Sequence, residues 1–171
     1  YPEYFSLTSG RYVKFNRWED EGFAIASLGE DVAINYQTES DMFRAILDLV
    51  LNMLTYGKSK IIMKKVPPIS FRALMIDCSR NAVIKPEYLE KIIVKLALLG
   101  INYLCLYTED TYEVEGHPLI GYQRGRYMKE EIRRLVKFAK EFGITMFPCI
   151  QTLGHVEQIL KFPIYDDIKD D

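Results

Sequence analysis

An α/β fold in two parts is predicted from three observations. Residues 71–155 alternate short apolar runs with amphipathic helical stretches, one unit after another. Each apolar run stops at polar side chains, and a helix signal follows. Ahead of Val66-Pro67-Pro68-Ile69-Ser70 the order differs, with several strands and then one helix, and the two prolines exclude both a helix interior and a sheet centre. The chain is therefore read as a small α+β domain over residues 1–68 and a strand–helix repeat over residues 69–171.

In the first part, Arg11–Phe15, Gly22–Ser27 and Val32–Tyr36 read as strands, with Gly29-Glu30-Asp31 turning the chain between the last two. Thr38, with Asp41 three residues on, is a capping-box pattern; it opens a helix that runs to about Leu54 and is closed by Gly57. Met42, Ile46, Leu49, Val50 and Met53 form one apolar stripe on this helix, and Phe43, Leu47, Leu51 and Leu54 a second. Lys60–Lys65 is a further strand, placed at an edge by its lysines. No residue here carries evident chemistry, so this part reads as a structural support.

The second part opens with a strand over Arg72–Asp77. Its Leu74-Met75-Ile76 run lacks alternation, the pattern of a strand buried on both faces. A helix starts at Pro86, shows Leu89, Ile92, Ile93, Leu96 and Leu99 at helical spacing, and ends at Gly100. The second strand is Asn102–Tyr107, followed by a long loop from Thr108 to Tyr127. The second helix spans Lys129–Phe142, with Ile132, Leu135, Val136, Ala139 and Phe142 on one face and Gly143 as terminator. The third strand is Ile144–Ile150, and Thr152-Leu153-Gly154-His155 leads into a last helical piece. Three successive βα units imply parallel strands with right-handed crossovers, which admits a doubly wound sheet or the start of a (β/α)8 barrel. Cys78-Ser79-Arg80-Asn81 stands where a dinucleotide fold would carry GxGxxG, which argues against that fold.

Composition narrows the function classes. Of 171 residues 49% are hydrophobic, so a packed core is expected and disorder is not. A net charge of −2 gives no electrostatic case for nucleic acid or an anionic membrane. The cluster Asp166-Asp167-Ile168-Lys169-Asp170-Asp171 reads as a solvated end. Cys78, Cys105 and Cys149 are odd in number, with Cys105 and Cys149 in core strands, which points to reduced thiols; with His155 they show no CxxC spacing for zinc. No apolar run reaches the roughly 18–20 residues of a membrane span, and no signal peptide opens the chain. A cytoplasmic location is expected on these grounds, although the Tyr1-Pro2 start suggests a trimmed N-terminus and leaves secretion open.

Parallel α/β folds draw functional groups from the C-terminal ends of strands and the loops beyond them. Those ends supply Asp77 and Arg80, then Glu109 and Asp110, then Gln151 and His155, while Arg72 lies at the start of the first strand. Asp110 and His155 follow adjacent strands, so a carboxylate–imidazole hydrogen bond would fix the imidazole tautomer and raise its basicity. The bland alternative is a structural ion pair. Tyr107, Tyr112, Tyr122 and Tyr127 are candidates to stack on a sugar face or to pack the loop down.

FRALMIDCSRN from Phe71, GINYLCLYTED from Gly100 and RGRYMKEEIRRLVKFAKEFGITMFPCIQTLGH from Arg124 resemble the first three βα units of glycoside hydrolase family 20, the β-N-acetylhexosaminidases. The small domain ahead of them is similar to the non-catalytic domain preceding that family's barrel. The resemblance implies a (β/α)8 TIM barrel, incomplete in this chain. It also implies exo-acting, retaining removal of terminal β-linked N-acetylglucosamine or N-acetylgalactosamine, with the substrate's own 2-acetamido oxygen as nucleophile, an exception to the two-carboxylate scheme. By the same resemblance, Arg72 would hydrogen-bond sugar hydroxyls, for which a planar guanidinium is suited. Asp110 and His155 would form a supporting pair beside the general acid. Neither metal nor organic cofactor is implied; the partner is a carbohydrate.

Three departures qualify the resemblance. The family's Asp-Glu pair, which carries the general acid, has no match, since the only Asp-Glu dipeptide is Asp20-Glu21. Cys149 and Gln151 stand where acidic residues are common in the family, and Leu106-Tyr107 replaces a frequent Trp-His. The chain is thus expected to be inactive alone and, with open barrel edges, to self-associate. The alternatives are a non-catalytic carbohydrate-binding or interaction module of the same fold, and an unrelated α/β protein.

Overall fold

The computed structural model describes residues 12–28, 31–57, 60–80 and 82–169. The turn residues Gly29 and Glu30, Arg11 of the first expected strand, Asn81, the Tyr1-Pro2 start and the Asp170-Asp171 end lie outside the described residues. The chain divides into two compact units, one built on the segment up to Ser70 together with Ala97–Gly100, the other on Phe71–Leu96 and Ile101 onward.

In the first unit, β1 (Val13–Arg17), β2 (Phe23–Leu28), β3 (Asp31–Tyr36) and β4 (Ile61–Lys65) form one sheet in the order β1-β3-β2-β4. β1 runs parallel to β3, and the other pairs are antiparallel. Strand alternation sends Phe23, Ile25, Val32 and Ile34 to one face, where they close on Ile61 and on Ala45 and Leu49 of helix α1 (Glu39–Tyr56). β4 lies at an edge, as its lysines suggest.

The start of α1 follows from its capping residues. Thr38 Oγ1 accepts from Asp41 N at 3.2 Å, and Asp41 Oδ2 accepts from Thr38 N at 3.1 Å. The second stripe of α1 ends in solvent at Leu51 and Leu54. Asp48 is buried on this helix and accepts cations from two elements, Arg44 at 3.1 Å and Lys65 at 2.9 Å. A carboxylate taken out of water needs such partners, because its desolvation otherwise outweighs what its surroundings return.

The second unit is a three-stranded parallel sheet in the order β5-β6-β7, from β5 (Ala73–Asp77), β6 (Tyr103–Tyr107) and β7 (Thr145–Cys149). Helix α2 (Pro86–Leu98) connects β5 to β6, and α3 (Lys129–Glu141) stands between β6 and β7. A short α4 (Glu157–Leu160) and a 3-10 turn over Pro163–Ile168 follow β7. Asn102 ties the starts of the strands together: its Oδ1 accepts from Arg72 N at 2.9 Å, its N donates to Arg72 O at 3.0 Å, and its O accepts from Thr145 N at 2.9 Å.

One expectation is corrected. The Leu74-Met75-Ile76 run predicted a strand buried on both faces, yet Leu74 is 39% and Met75 58% exposed. Burial on both faces requires a neighbour on each side and a layer on each face. β5 is an edge strand with β6 as its one neighbour. That environment belongs to β6, where Leu104, Cys105 and Leu106 are all buried. Among the described residues no helix is long and apolar enough to cross a membrane.

Because Ile34 is fully buried between β2 and α1, Ile34→Ala is expected to lower the unfolding free energy by about 2–5 kcal/mol. Urea denaturation checks this, and a loss well under 1 kcal/mol would place Ile34 outside the core.

Candidate functional site

Parallel pairing sets Asp77, Tyr107 and Cys149 side by side, because Asp77 is in register with Tyr107 and Tyr107 with Cys149. These three close the C-terminal end of the sheet, and the polar residues singled out in the sequence follow them. The backbone continues the ladder briefly, with Cys78 N donating to Tyr107 O at 2.8 Å.

Asp77 folds the chain back on itself. Its Oδ1 accepts from Ser79 N at 2.9 Å, Arg80 N at 3.1 Å and Ser79 Oγ at 3.1 Å, while Oδ2 accepts from Arg80 Nη1 at 2.7 Å. An aspartate that bonds amides two and three residues on makes a turn without further help. The Ser79 amide, then the Arg80 guanidinium, hold this carboxyl well below the usual carboxylate range, and the same bond to Asp77 pushes Arg80 upward. Arg80 then crosses to β6: its guanidinium lies 4.8 Å from the centre of the Tyr107 ring, and its Nη2 donates to Tyr107 Oη at 3.2 Å. Tyr107 Oη donates to Glu109 Oε1 at 3.0 Å, which is 3.6 Å from Arg80 Nη2. Glu109 holds a φ of 47°, a conformation that L side chains adopt only when their surroundings fix it.

Asp110 has a different environment. Its side chain is 2% exposed, and Arg124 Nη2 approaches its Oδ1 at 3.1 Å. That approach lies off the hydrogen-bonding direction, so Oδ1 is ion-paired yet accepts no directed hydrogen bond. Arg124 Nη2 aims its proton at Ser79 O instead, at 2.7 Å. Thr108 Oγ1, two residues before Asp110, is a second buried oxygen without a partner. Beside them Thr111 Oγ1 donates to Thr108 O at 2.8 Å and lies 3.1 Å from Cys78 O.

The loop from Thr108 to Tyr127 is pinned at its base. Tyr112 and Tyr127 pair as an isolated bridge, with Tyr127 N donating to Thr111 O at 3.0 Å and Glu113 N to Tyr127 O at 2.9 Å. Tyr127 is 1% exposed and donates to Ile84 O at 2.7 Å; burial, then the Cys78 thiol, push its phenol upward. Burial likewise raises the Tyr112 phenol, with the Asp110 charge adding to it. Of the four tyrosines, Tyr127 therefore packs the loop down and Tyr107 joins the ionic chain, whereas Tyr122 is 54% exposed. At the loop's far side His117 Nδ1 lies 3.1 Å from Tyr165 Oη.

The candidates named from the sequence fall in different places. Asp77, Arg80, Glu109 and Asp110 gather at the C-terminal ends of β5 and β6. His155 is exposed, at a φ of 56°, and makes no hydrogen bond to Asp110, whose carboxylate faces Arg124. Gln151 is half-buried just beyond β7. Arg72 sits at the start of β5, about 17 Å along the strand from Asp77 at roughly 3.3 Å per residue. Arg124 was not named from the sequence, since nothing in its loop spacing announces that it pairs with Asp110. Cys105 and Cys78 are buried, Cys149 is half-buried, and burial raises the Cys105 thiol. Among the described residues no three His, Cys, Asp or Glu side chains group to hold a metal ion.

Residues 69–166 match the family model for Glycosyl hydrolase family 20, catalytic domain. The chain is 27% identical over 103 residues to Hexosaminidase D of Homo sapiens, covering 60% of this chain and 21% of that protein. It is 25% identical over 153 residues to the beta-hexosaminidase subunit beta of Entamoeba histolytica, covering 80% of this chain and 26% of that protein. The chain thus spans about a quarter of the length of the curated relatives it matches. Among solved structures, the family 20 exo-β-N-acetylglucosaminidase from Vibrio harveyi in complex with N-acetylglucosamine superimposes with a TM-score of 0.72 at 23% identity, over 87% of this chain and 28% of that one.

The Asp77 turn has a pH signature. Its carboxyl titrates lower in the folded state than in the unfolded one, so its contribution to stability is complete above about pH 4 and is lost as the pH falls further. With the side chain 38% exposed, solvent screens the effect. Wild type is expected to have a higher urea midpoint than Asp77→Asn at neutral pH, with the gap shrinking below about pH 4. A gap that stays constant through that range would show that the charge is not what stabilises the turn.

Proposed function

The chain belongs to glycosyl hydrolase family 20, and from that premise we propose that it forms part of a retaining, exo-acting β-N-acetylhexosaminidase. The substrate would be a glycan ending in β-linked N-acetylglucosamine or N-acetylgalactosamine. Its 2-acetamido oxygen attacks the anomeric carbon as the bond to the leaving glycosidic oxygen breaks and that oxygen takes the general acid's proton, so the protein need not supply a carboxylate nucleophile, the exception that the usual two-carboxylate scheme admits. What supports this is one observation above the others. At the C-terminal end of β6, Asp110 is a buried carboxylate with a cation at 3.1 Å and one oxygen still open to a donor. In this reading His155, exposed and apart from Asp110 in this chain, would turn inward to supply that donor, and the pair would then support a general acid lying beyond these 171 residues. The resemblance assigns sugar hydroxyls to Arg72 as well, but Arg72 precedes β5 at the end of the sheet opposite Asp110, so it has no place in the site built here. The three βα units are the first three of a (β/α)8 barrel, consistent with the parallel order β5-β6-β7.

Release of 4-nitrophenol from 4-nitrophenyl N-acetyl-β-D-glucosaminide tests the reading. Turnover is expected from a chain extended beyond Asp171 and not from residues 1–171 alone, with the β-anomer of the sugar as first product by NMR. In the extended chain Asp110→Asn is expected to lower kcat/KM by about 100-fold or more. Turnover by the short chain would put the acid within it and make Glu109 the residue to substitute. Saturable binding of N-acetylglucosamine without turnover by either would favour a sugar-binding module.

The same reading carries a proposal about association. Leu74 and Met75 lie on an edge strand and are 39% and 58% exposed, and an apolar edge recruits further strands. Sedimentation velocity of the 171-residue chain is expected to show concentration-dependent association that Met75→Glu weakens. A monomer at high concentration would refute it.

A further inference from the structure

We propose that Arg124 is a positioning residue for the Asp110 carboxylate, balancing its charge and keeping it turned so that Oδ1 stays open to a donor. This deepens the reading of Asp110 given above and rests on it. The argument begins with a conflict of needs. A carboxylate whose side chain is 2% exposed requires a balancing cation. A cation that hydrogen-bonds it squarely would also take one of the two lone pairs of the oxygen meant to receive another donor. Arg124 meets the first need without creating the second difficulty, because its Nη2 stands 3.1 Å from Oδ1 while aiming its proton at Ser79 O, 2.7 Å away. The guanidinium thus supplies charge to Asp110 and a directed bond to the turn after β5.

The loop is shaped to bring Arg124 there. Positive φ values alternate through it, 68° at Gly121, 58° at Gln123 and 70° at Gly125. Arg124 N donates to Gly121 O at 3.1 Å, and Arg126 Nη1 donates to Ile120 O at 2.6 Å and Pro118 O at 2.9 Å. Gly121 packs directly on the Asp110 backbone, so closely that a Cβ there would lie 2.7 Å from Asp110 O. Three left-handed residues in five, one of them not glycine, persist only where surrounding contacts fix them. Their common effect is to place one arginine between Asp110 and Ser79.

The test uses the full-length enzyme and compares Arg124→Gln, Arg124→Lys, Asp110→Asn and the double variant, with kcat and KM measured on 4-nitrophenyl N-acetyl-β-D-glucosaminide. Arg124→Gln is expected to lower kcat by about 10- to 100-fold with KM changed less than about threefold, as for a misplaced supporting group. Arg124→Lys should recover part of that loss, because the charge remains although the fork is gone. In the Asp110→Asn background, Arg124→Gln should cost little further, since the two act as one unit. Wild-type kcat in Arg124→Gln, or equal losses in both backgrounds, would overturn the proposal. If Arg124→Gln does not fold, Arg124→Met, which keeps a long side chain without the charge, replaces it in the same cycle with the same criteria. Wild-type activity in Asp110→Asn would instead refute the role given to Asp110 and this proposal with it. A loss in Asp110→Asn alone refutes only the role of Arg124.

Discussion

The second unit depends on β6 having a neighbour on each side. β5 and β7 both pair with it in parallel, and each is held by that one ladder in this chain. Leu104, Cys105 and Leu106 are therefore buried, whereas β5 is largely open. Parallel pairing also aligns the C-terminal ends of all three strands. Asp77, Tyr107 and Cys149 fall in one row because of the register, and the loops that carry polar groups leave from a common end.

Two acidic residues at that end have opposite environments. Asp77 is partly exposed and saturated with donors, two from Ser79 and two from Arg80, so it has little capacity left for chemistry. Asp110 is buried, close to one cation, and short of a directed bond. A buried acceptor without a donor is costly in a folded protein and rare, so such an atom marks a place where a partner belongs. Burial and pairing, more than residue type, separate the carboxylate that shapes a turn from the one suited to a site.

The arginines divide the work in a similar way. Arg80 links the turn after β5 to Tyr107 and Glu109 across an exposed surface, where an ion pair is worth little by itself and geometry carries the contact. Arg126 acts inside its own loop, on the carbonyls of Pro118 and Ile120, while Arg124 reaches out of it to Ser79 O and back to Asp110. Backbone carbonyls in a long loop have no ladder to satisfy them, and a guanidinium with five donors can serve several at once. This is how the Thr108–Tyr127 segment holds a fixed shape without strands or helices of its own.

Much of this was legible in the residues. Local rules account for α1, because Thr38 and Asp41 cap it through atoms three positions apart, and for α2 and α3, whose apolar stripes need only helical spacing. The Asp77 turn is local as well, made within four residues. Other features depend on partners far along the chain. Leu74 and Met75 spell a buried strand, but burial depends on what stands beside it, and here β5 is an edge. Asp110 was recognisable as a carboxylate after a strand, yet its burial and its arginine come from a loop that returns through three left-handed residues. His155 was named for its place after an adjacent strand, and its exposed side chain does not meet Asp110 in this chain. The sequence by itself determined the strand–helix alternation and where polar groups leave the strands, because hydrophobic period and capping act over a few residues. Only the tertiary structure decided which carboxylate is buried, which arginine faces it and which strand is left open, because those follow from contacts between segments that sequence order does not bring together.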